Sequence, residues 1–284
     1  MVRIKRVFVI IVNYKGNPAL LSCLRSVFTS DYPTTEVVVV DNNSKDGSLE
    51  LAKKQFARVH YIVSGKNRGF SAGVNLGIRF ALEKGAEAVL LLNNDAIIDT
   101  QTLSHIIEKE EGYGEGIYSP IIQKPNGVKW FIFGKIDWKR FRSFHEKKEQ
   151  LGVYETTYVP GCCMYITKEI FEKVGLFDED FFLYYEDVDF CLRAKKEGFP
   201  SRVISSISIV HNEASEENIP FKTYHLVLSG EKFFQKHTPW YLLPWWKIFF
   251  FLRRIKNQYH FRKDPQNKKI LAVRRAFKRL SYEE

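Results

Sequence analysis

Residues 36–48 read EVVVVDNNSKDGS, four consecutive valines that give way abruptly to Asp41, two asparagines and a serine. Strand side chains alternate between two faces, so an unbroken β-branched run is buried on both. That is the pattern of a parallel strand covered on each side by helices. Asp46-Gly47-Ser48 then opens a helix to about Phe56. The same step recurs on either side. Val7–Val12 is a strand, and Asn17-Pro18 supplies an N-cap and a first-turn proline for a helix to about Phe28. Val59–Val63 is a third strand, Ser71–Lys84 a helix closed by Gly85, and Ala88–Leu92 a fourth strand. The alternation predicts an α/β fold with a Rossmann-like, mostly parallel sheet over residues 1–100.

The rhythm breaks after Thr100. Strand-like pieces follow at Gly116–Ile122, Val128–Ile136, Val153–Val159 and Cys163–Ile166, with few helical signals between residues 112 and 166. Helices resume at Lys168–Val174, Asp187–Glu197 and Phe221–Lys236, and Ser206–Val210 reads as another strand. The expected organisation is one domain over residues 1–238, a nucleotide-binding half (1–100) and a mixed half (101–238), followed by an aromatic and basic helical tail (239–284).

With 45% hydrophobic residues in 284, the chain can bury a sizeable core and is not disordered. The net charge of +10 is misleading until it is located. Lys247–Leu280 holds twelve Lys and Arg against the single acid Asp264, so the body before it is near neutral and no nucleic-acid partner is expected. The N-terminal segment mimics a signal peptide, but its apolar run ends at Asn13, too short for an h-region. Cys23, Cys162, Cys163 and Cys191 form no C-x-x-C pair and read as free thiols, which fits a reducing, cytoplasmic compartment.

Open α/β sheets bind ligands beyond the carboxyl ends of their strands. Three strands here end in polar residues at that edge: Asn13-Tyr14, Asp41-Asn42-Asn43-Ser44 and Asn93-Asn94-Asp95. Each alone is an ordinary turn; three together suggest a site. Asp41 can accept the imino N–H of uracil, thymine or guanine, with Tyr14 stacking on the base, or it can start an Asx turn. Asn67-Arg68-Gly69 leads into a helix whose N-terminus suits phosphate, but the segment is neither a P-loop nor a dinucleotide fingerprint. Asp95 is a candidate ligand for Mg²⁺ or Mn²⁺.

The densest cluster is FDEDFFLYYEDVD, residues 177–189. A carboxylate among aromatics is desolvated, which raises its pKa towards that of a useful general base. Helix capping accounts for one or two of Glu186, Asp187 and Asp189, not all of them. His211 alone would be structural; Asp95 gives it a partner.

In this order, VFVIIVNYKG (7–16), VVVVDNNSKDGS (37–48), NRGFSAGVNLGI (67–78), LLNNDAII (91–98) and GCCMYITKEIFEKVGLFDEDFFLYYEDVDFCLRAKKEGF (161–199) resemble the family 2 glycosyltransferases of the GT-A fold, particularly the rhamnosyltransferase-like branch. The resemblance covers roughly residues 5–230. It implies an inverting transferase that moves a sugar from a nucleoside diphosphate donor, dTDP- or UDP-linked, to a hydroxyl of a glycan or lipid-linked acceptor. Residues 101–238 would be the acceptor side. Asp41 would bind the nucleobase in a pocket lined by Asn13 and Tyr14, with Asn43, Asn67, Arg68, Gly69 and Asn94 near the donor. Asn93 and Asp95 occupy the D-x-D metal positions and His211 resembles a third ligand, for Mn²⁺ or Mg²⁺. Asp187 resembles the base, with Glu186 positioning the acceptor. Asn93 in place of the first aspartate removes one negative charge, a variation familiar in that branch.

The tail, with Trp240, Tyr241, Trp245 and Trp246 before its cations, has the composition of an interfacial helix. Two readings stand: peripheral docking of residues 240–280 on the inner face of an anionic membrane, or packing on protein with the cations solvated. A sugar-phosphate nucleotidyltransferase would need a Lys/Arg-rich glycine loop where Asn13-Tyr14-Lys15-Gly16 stands. A non-enzymatic adaptor acting through the tail would leave the acidic-aromatic cluster unexplained.

Overall fold

A computed structural model describes residues 4–147, 150–212 and 218–280. The strands are β1 (Val7–Asn13), β2 (Thr35–Asp41), β3 (His60–Val63), β4 (Ala88–Asn93), β5 (Ala96–Ile97), β6 (Ile117–Gln123), β7 (Lys129–Phe131), β8 (Phe133–Asp137), β9 (Arg142–Glu146), β10 (Val153–Thr156), β11 (Cys163–Thr167) and β12 (Ser201–His211). The helices are α1 (Ala19–Phe28), α2 (Ser48–Gln55), α3 (Phe70–Glu83), α4 (Thr102–Tyr113), α5 (Lys168–Val174), α6 (Glu186–Lys196), α7 (Ile219–His237), α8 (Leu243–Lys263) and α9 (Lys268–Leu280).

Two compact units emerge. The second gathers residues 136–144 and 181–185 with the helical segment from residue 218 onward; the remainder forms the first. In the first unit the main sheet runs β10-β12-β6-β11-β4-β1-β2-β3, with β5 on β12 and β7 on β6. The stretch β3-β2-β1-β4 is wholly parallel. Beyond it β11 enters antiparallel to both β4 and β6, and the sheet becomes mixed. Val37–Val40 are buried, as are Val7–Ile11 and Ala88–Leu92, which explains their runs of apolar residues.

Helix α3 sits tightly on this sheet because small residues face it. A Cβ on Gly77 would stand 2.5 Å from Ile10 Cγ2, so no larger residue fits without displacing β1. This close approach carries the N-terminus of α3 to the carboxyl ends of β1 and β2.

Several expectations need correction. Pro18 follows a cis peptide bond and stands at the N-cap of α1, which begins only at Ala19, so proline is not the first helical residue. Helix α4 went unassigned although Leu103, Ile106 and Ile107 form its buried face. The strand expected over Val128–Ile136 is two, β7 and β8. The last strand is longer than Ser206–Val210, starting at Ser201 and shifting register between Ile204 and Ser208. In the second unit, α7 and α8 pack on the 136–144 segment, with Phe141 against Phe234, Phe249 and Phe250, and α9 packs on α7 and α8.

Candidate active site

The carboxyl ends of β1 and β2 are stitched together below the surface. Asn13 and Asp41 are register partners and both are buried. The Asn13 amide lies 2.8 Å from Asp41 Oδ1, 2.9 Å from Ser44 Oγ and 2.8 Å from Ser48 Oγ. The Ser44 hydroxyl donates to Asp41 Oδ1 at 2.5 Å, and its N–H to Oδ2 at 3.1 Å. Asn94 donates to Asn13 Oδ1 at 2.9 Å, tying in the end of β4. Asp41 thus makes the Asx turn, and Oδ2 keeps acceptor capacity for one further donor. Asn13 is buried, its side chain spent within this network. Tyr14 is exposed, with Lys15 Nζ 5.5 Å from its ring centroid, and Asn43 takes a left-handed backbone, φ 65°.

Gly16 closes this network. A Cβ there would stand 2.2 Å from Asn13 Oδ1 and 2.4 Å from Asn94 Nδ2. Gly16→Ala is therefore expected to destabilise the fold by about 1–3 kcal/mol through overpacking, measured by denaturant unfolding. An unchanged midpoint would show that Asn13 and Asn94 yield freely.

Asn42 was not singled out from the sequence, yet it fixes the loop before α3. Buried, it donates to Gly69 O at 2.8 Å and accepts the Arg68 N–H at 3.1 Å. Gly69 adopts φ +86°, and its N–H goes to Asn67 Oδ1 at 2.9 Å. The Arg68 guanidinium is held 3.2 Å from Glu179 by an exposed pair, the kind worth less than about 1 kcal/mol and easily exchanged for an anionic ligand.

At the end of β4, Asp95 faces His211 because β5 pairs with the end of β12: Ala96 is opposite His211, and the Asn212 N–H donates to Asp95 O at 3.0 Å. His211 Nε2 stands 3.0 Å from Asp95 Oδ1, yet Oδ1 is buried and has no hydrogen-bond partner. Asn93 Nδ2 is 3.2 Å from the same Nε2. With that amide donating, Nε2 is an acceptor and carries no proton for Asp95 Oδ1, 3.0 Å away. Ligands at right angles around a cation, each at about 2.1 Å, stand about 3 Å apart. The pair therefore fits a small divalent metal. Among the described residues no group of three or more His, Cys, Asp and Glu is assembled for a metal, so further ligands would come from Asn93, water or a bound diphosphate.

Glu186 and Asp187 begin α6, preceded by Tyr184 and Tyr185 with φ of 68° and 66°. Two adjacent bulky residues in the left-handed region are strained. The two acids differ in support. Asp187 accepts the Gly161 N–H at 3.1 Å and the Val188 N–H at 2.8 Å, whereas Glu186 Oε2 is buried without a partner. Burial, then the charge of Asp187, pushes Glu186 well above the ordinary carboxylate range. Burial also raises Asp187, but its backbone N–H donors oppose the rise. Asp187 is thus the member better supported as a carboxylate, and burial favours the neutral form of Glu186.

That inequality has a measurable sign. A raised folded-state pKa contributes stability that is complete below the unfolded value and is lost as pH rises through the folded value. Glu186→Gln mimics the protonated form and escapes that loss. Its Tm should match wild type near pH 4 and exceed it by about 2–4 °C at about pH 8; a constant difference across that range would mean Glu186 is ionised in the folded protein.

One loop joins the two halves of the site. The Asn93 N–H donates to Cys162 O at 3.0 Å, and the preceding Gly161 holds Asp187. Burial, Cys163, Asp95 and Asp187 together raise the Cys162 thiol, so both carboxylates lie close enough to act on one sulfur. All four cysteines are free and buried.

The sequence profile of glycosyl transferase family 2 matches residues 8–175. The chain belongs to glycosyl transferase family 2. This glycosyltransferase is 29% identical over 225 residues to the low-salt glycan biosynthesis hexosyltransferase Agl10 of Haloferax volcanii, covering 78% of this chain and 71% of the relative. It is 27% identical over 205 residues to the dTDP-rhamnosyl transferase RfbF of Shigella flexneri, covering 72% and 68%. Its fold matches the mannosyltransferase PcManGT of Pyrobaculum calidifontis, solved with GDP-Man and Mn²⁺, at TM-score 0.63 and 16% identity, covering 100% of this chain and 77% of that one. Other solved structures of this fold are longer, and the glycosyltransferase spans 51% of one and 39% of another. The α/β fold expected from the sequence, a parallel half joined to a mixed half with a helical C-terminal region, is the GT-A-like fold found here.

Proposed function

We propose that this glycosyltransferase is an inverting enzyme that moves a sugar from a dTDP- or UDP-sugar, dTDP-rhamnose foremost, to a hydroxyl of a glycan or lipid-linked acceptor in cell-surface glycan synthesis. The observation that carries the reading is the unequal pair at the start of α6, Asp187 on two backbone donors beside Glu186 with a buried, unpartnered carboxyl oxygen. The dTDP-rhamnosyl transferase and hexosyltransferase relatives support the donor and pathway class.

Asp187 takes the proton of the acceptor hydroxyl as that oxygen attacks the anomeric carbon. The bond from the anomeric carbon to the phosphate oxygen breaks on the opposite face, and the nucleoside diphosphate departs with the electron pair. Glu186, whose burial favours its neutral form, can hydrogen-bond the acceptor. Asp41 Oδ2 receives the imino N–H of the base, Tyr14 stacks on its ring, and Asn43 borders the same pocket. Asn67, Arg68 and Gly69 present the N-terminus of α3 to the diphosphate. Asp95 and His211, with Asn93 beside them, would hold a divalent cation, Mn²⁺ or Mg²⁺, and Asn94 lies towards the donor. When bound, that ion neutralises charge developing on the diphosphate.

The reading is tested by following the slow hydrolysis or transfer of a dTDP- or UDP-sugar by proton NMR. The first-formed product should have the anomeric configuration opposite to the donor's. Retained configuration would rule out single displacement by Asp187.

A further inference from the structure

Helix α8 is apolar on two opposite faces. Trp246 and Phe250 on the inner face are buried, and Arg254 reaches back to Glu231 at 2.6 Å. Asn257 on the same side donates to Ile270 O of α9 at 3.3 Å. This half of α8 is packed within its unit.

The outer half is not. Trp245, Ile248, Leu252, Ile255 and Tyr259 recur every three or four residues and so form one row, about 20 Å long at 1.5 Å per residue. With Phe251 beside them, these side chains are 41–61% exposed, and Trp240 and Tyr241 just before the helix are 81% and 64% exposed. A continuous row of this size on a surface marks a contact. Lys256 and Lys263 flank it on one side and Lys247 and Arg262 on the other, all exposed. Asp264 is the sole acid from residue 239 to residue 280.

We infer that the outer face of α8 docks flat on an anionic lipid surface, its apolar row inserted among the headgroups and its flanking cations on the lipid phosphates. The charge decides the occupant. A second copy of α8 along the same row would set Lys247, Lys256, Arg262 and Lys263 against their own counterparts with no acid to answer them. An anionic bilayer answers both the apolar row and the cations, and tryptophan and tyrosine are favoured at its interface. No described helix is long and apolar enough to cross a membrane, so the helix lies in the surface rather than through it. The inference is independent of the donor and of the transfer step.

The full chain is tested with phosphatidylcholine vesicles and with phosphatidylcholine–phosphatidylglycerol vesicles, by co-sedimentation without donor or acceptor. Each cation near an anionic surface contributes about fivefold, so anionic vesicles should be bound at least about a hundredfold more tightly, with the difference shrinking at high salt. Leu252→Glu with Ile255→Glu should weaken binding at least tenfold with the Tm unchanged, since both side chains are exposed. Lys256→Glu with Lys263→Glu should remove most of the preference for anionic lipid. Equal binding to both vesicle types, or full binding by the Leu252/Ile255 variant, overturns the inference. So does a lipid-free dimer by light scattering that the same variant dissociates, because the row would then belong to a second copy. None of these outcomes touches the glycosyl-transfer reading, which is read separately from donor turnover.

Discussion

Asp187→Asn should lower turnover by about 10³-fold while leaving nucleoside diphosphate affinity within about twofold of wild type. General-base catalysis contributes about 10²–10⁴, and Asp187 is the acid at the site placed to ionise, held by the Gly161 and Val188 N–H groups. Asparagine preserves the volume but cannot accept a proton. The pH profile carries the same signature. Because burial raises Asp187, the acid limb of kcat/KM should lie above the ordinary aspartate range of about 4. Activity is lost as pH falls through that limb, where the base becomes protonated. The limb should disappear in the residual activity of the variant. Steady-state kinetics across pH, with calorimetric titration of the diphosphate product, separates the two effects. Near-wild-type turnover by Asp187→Asn would remove it from the mechanism.

Asp95→Ala should abolish the metal-dependent part of diphosphate binding and reduce turnover by about 10²–10³, the scale of charge stabilisation by a bound cation. Its Oδ1 is buried and unpartnered, 3.0 Å from His211 Nε2. That arrangement is unfavourable without a cation, so the variant should be no less stable than wild type when metal is absent. Calorimetry of dTDP or UDP with and without Mn²⁺ reads the first effect, and Tm in chelator reads the second. A variant that loses several degrees in chelator while still binding diphosphate with Mn²⁺ would mark Asp95 as structural.

The parallel half of the sheet was legible because Val37–Val40 and Leu90–Leu92 are buried on both faces, and an apolar run of that length admits few other fates. Helix α4 was hidden for a local reason. Its buried Leu103, Ile106 and Ile107 are followed at once by the charged and glycine-bearing stretch from Glu108 to Gly112, which masks the helical period. The cis peptide before Pro18 has no distinguishing sequence signal, since proline starts helices and follows turns alike.

The site was legible as strand ends and as an acidic-aromatic cluster, but not as a network. The Asn42 amide meets the Arg68–Gly69 backbone across 26–27 residues, and no local pattern announces such a pairing. The division of labour between Glu186 and Asp187 is similarly non-local, because it depends on the Gly161 N–H. In the sequence the two are adjacent carboxylates; in the fold one is satisfied and the other is orphaned. The tail shows how composition averages over faces. Aromatic and basic content suggested either packing or lipid contact, and α8 packs its inner face while leaving the outer row exposed.

The central claim is a site at the carboxyl ends of β1, β2 and β4 for a nucleoside diphosphate whose base carries an imino N–H, completed by a divalent cation. Thermal stabilisation of the wild-type protein by dTDP, UDP, GDP and ADP, each with and without Mn²⁺, tests it most directly. The account predicts a rise in Tm with dTDP, UDP or GDP that requires Mn²⁺, and none with ADP, which lacks the imino N–H that Asp41 would receive. Stabilisation by ADP equal to that by dTDP and UDP, or the same shift in the absence of metal, would contradict it.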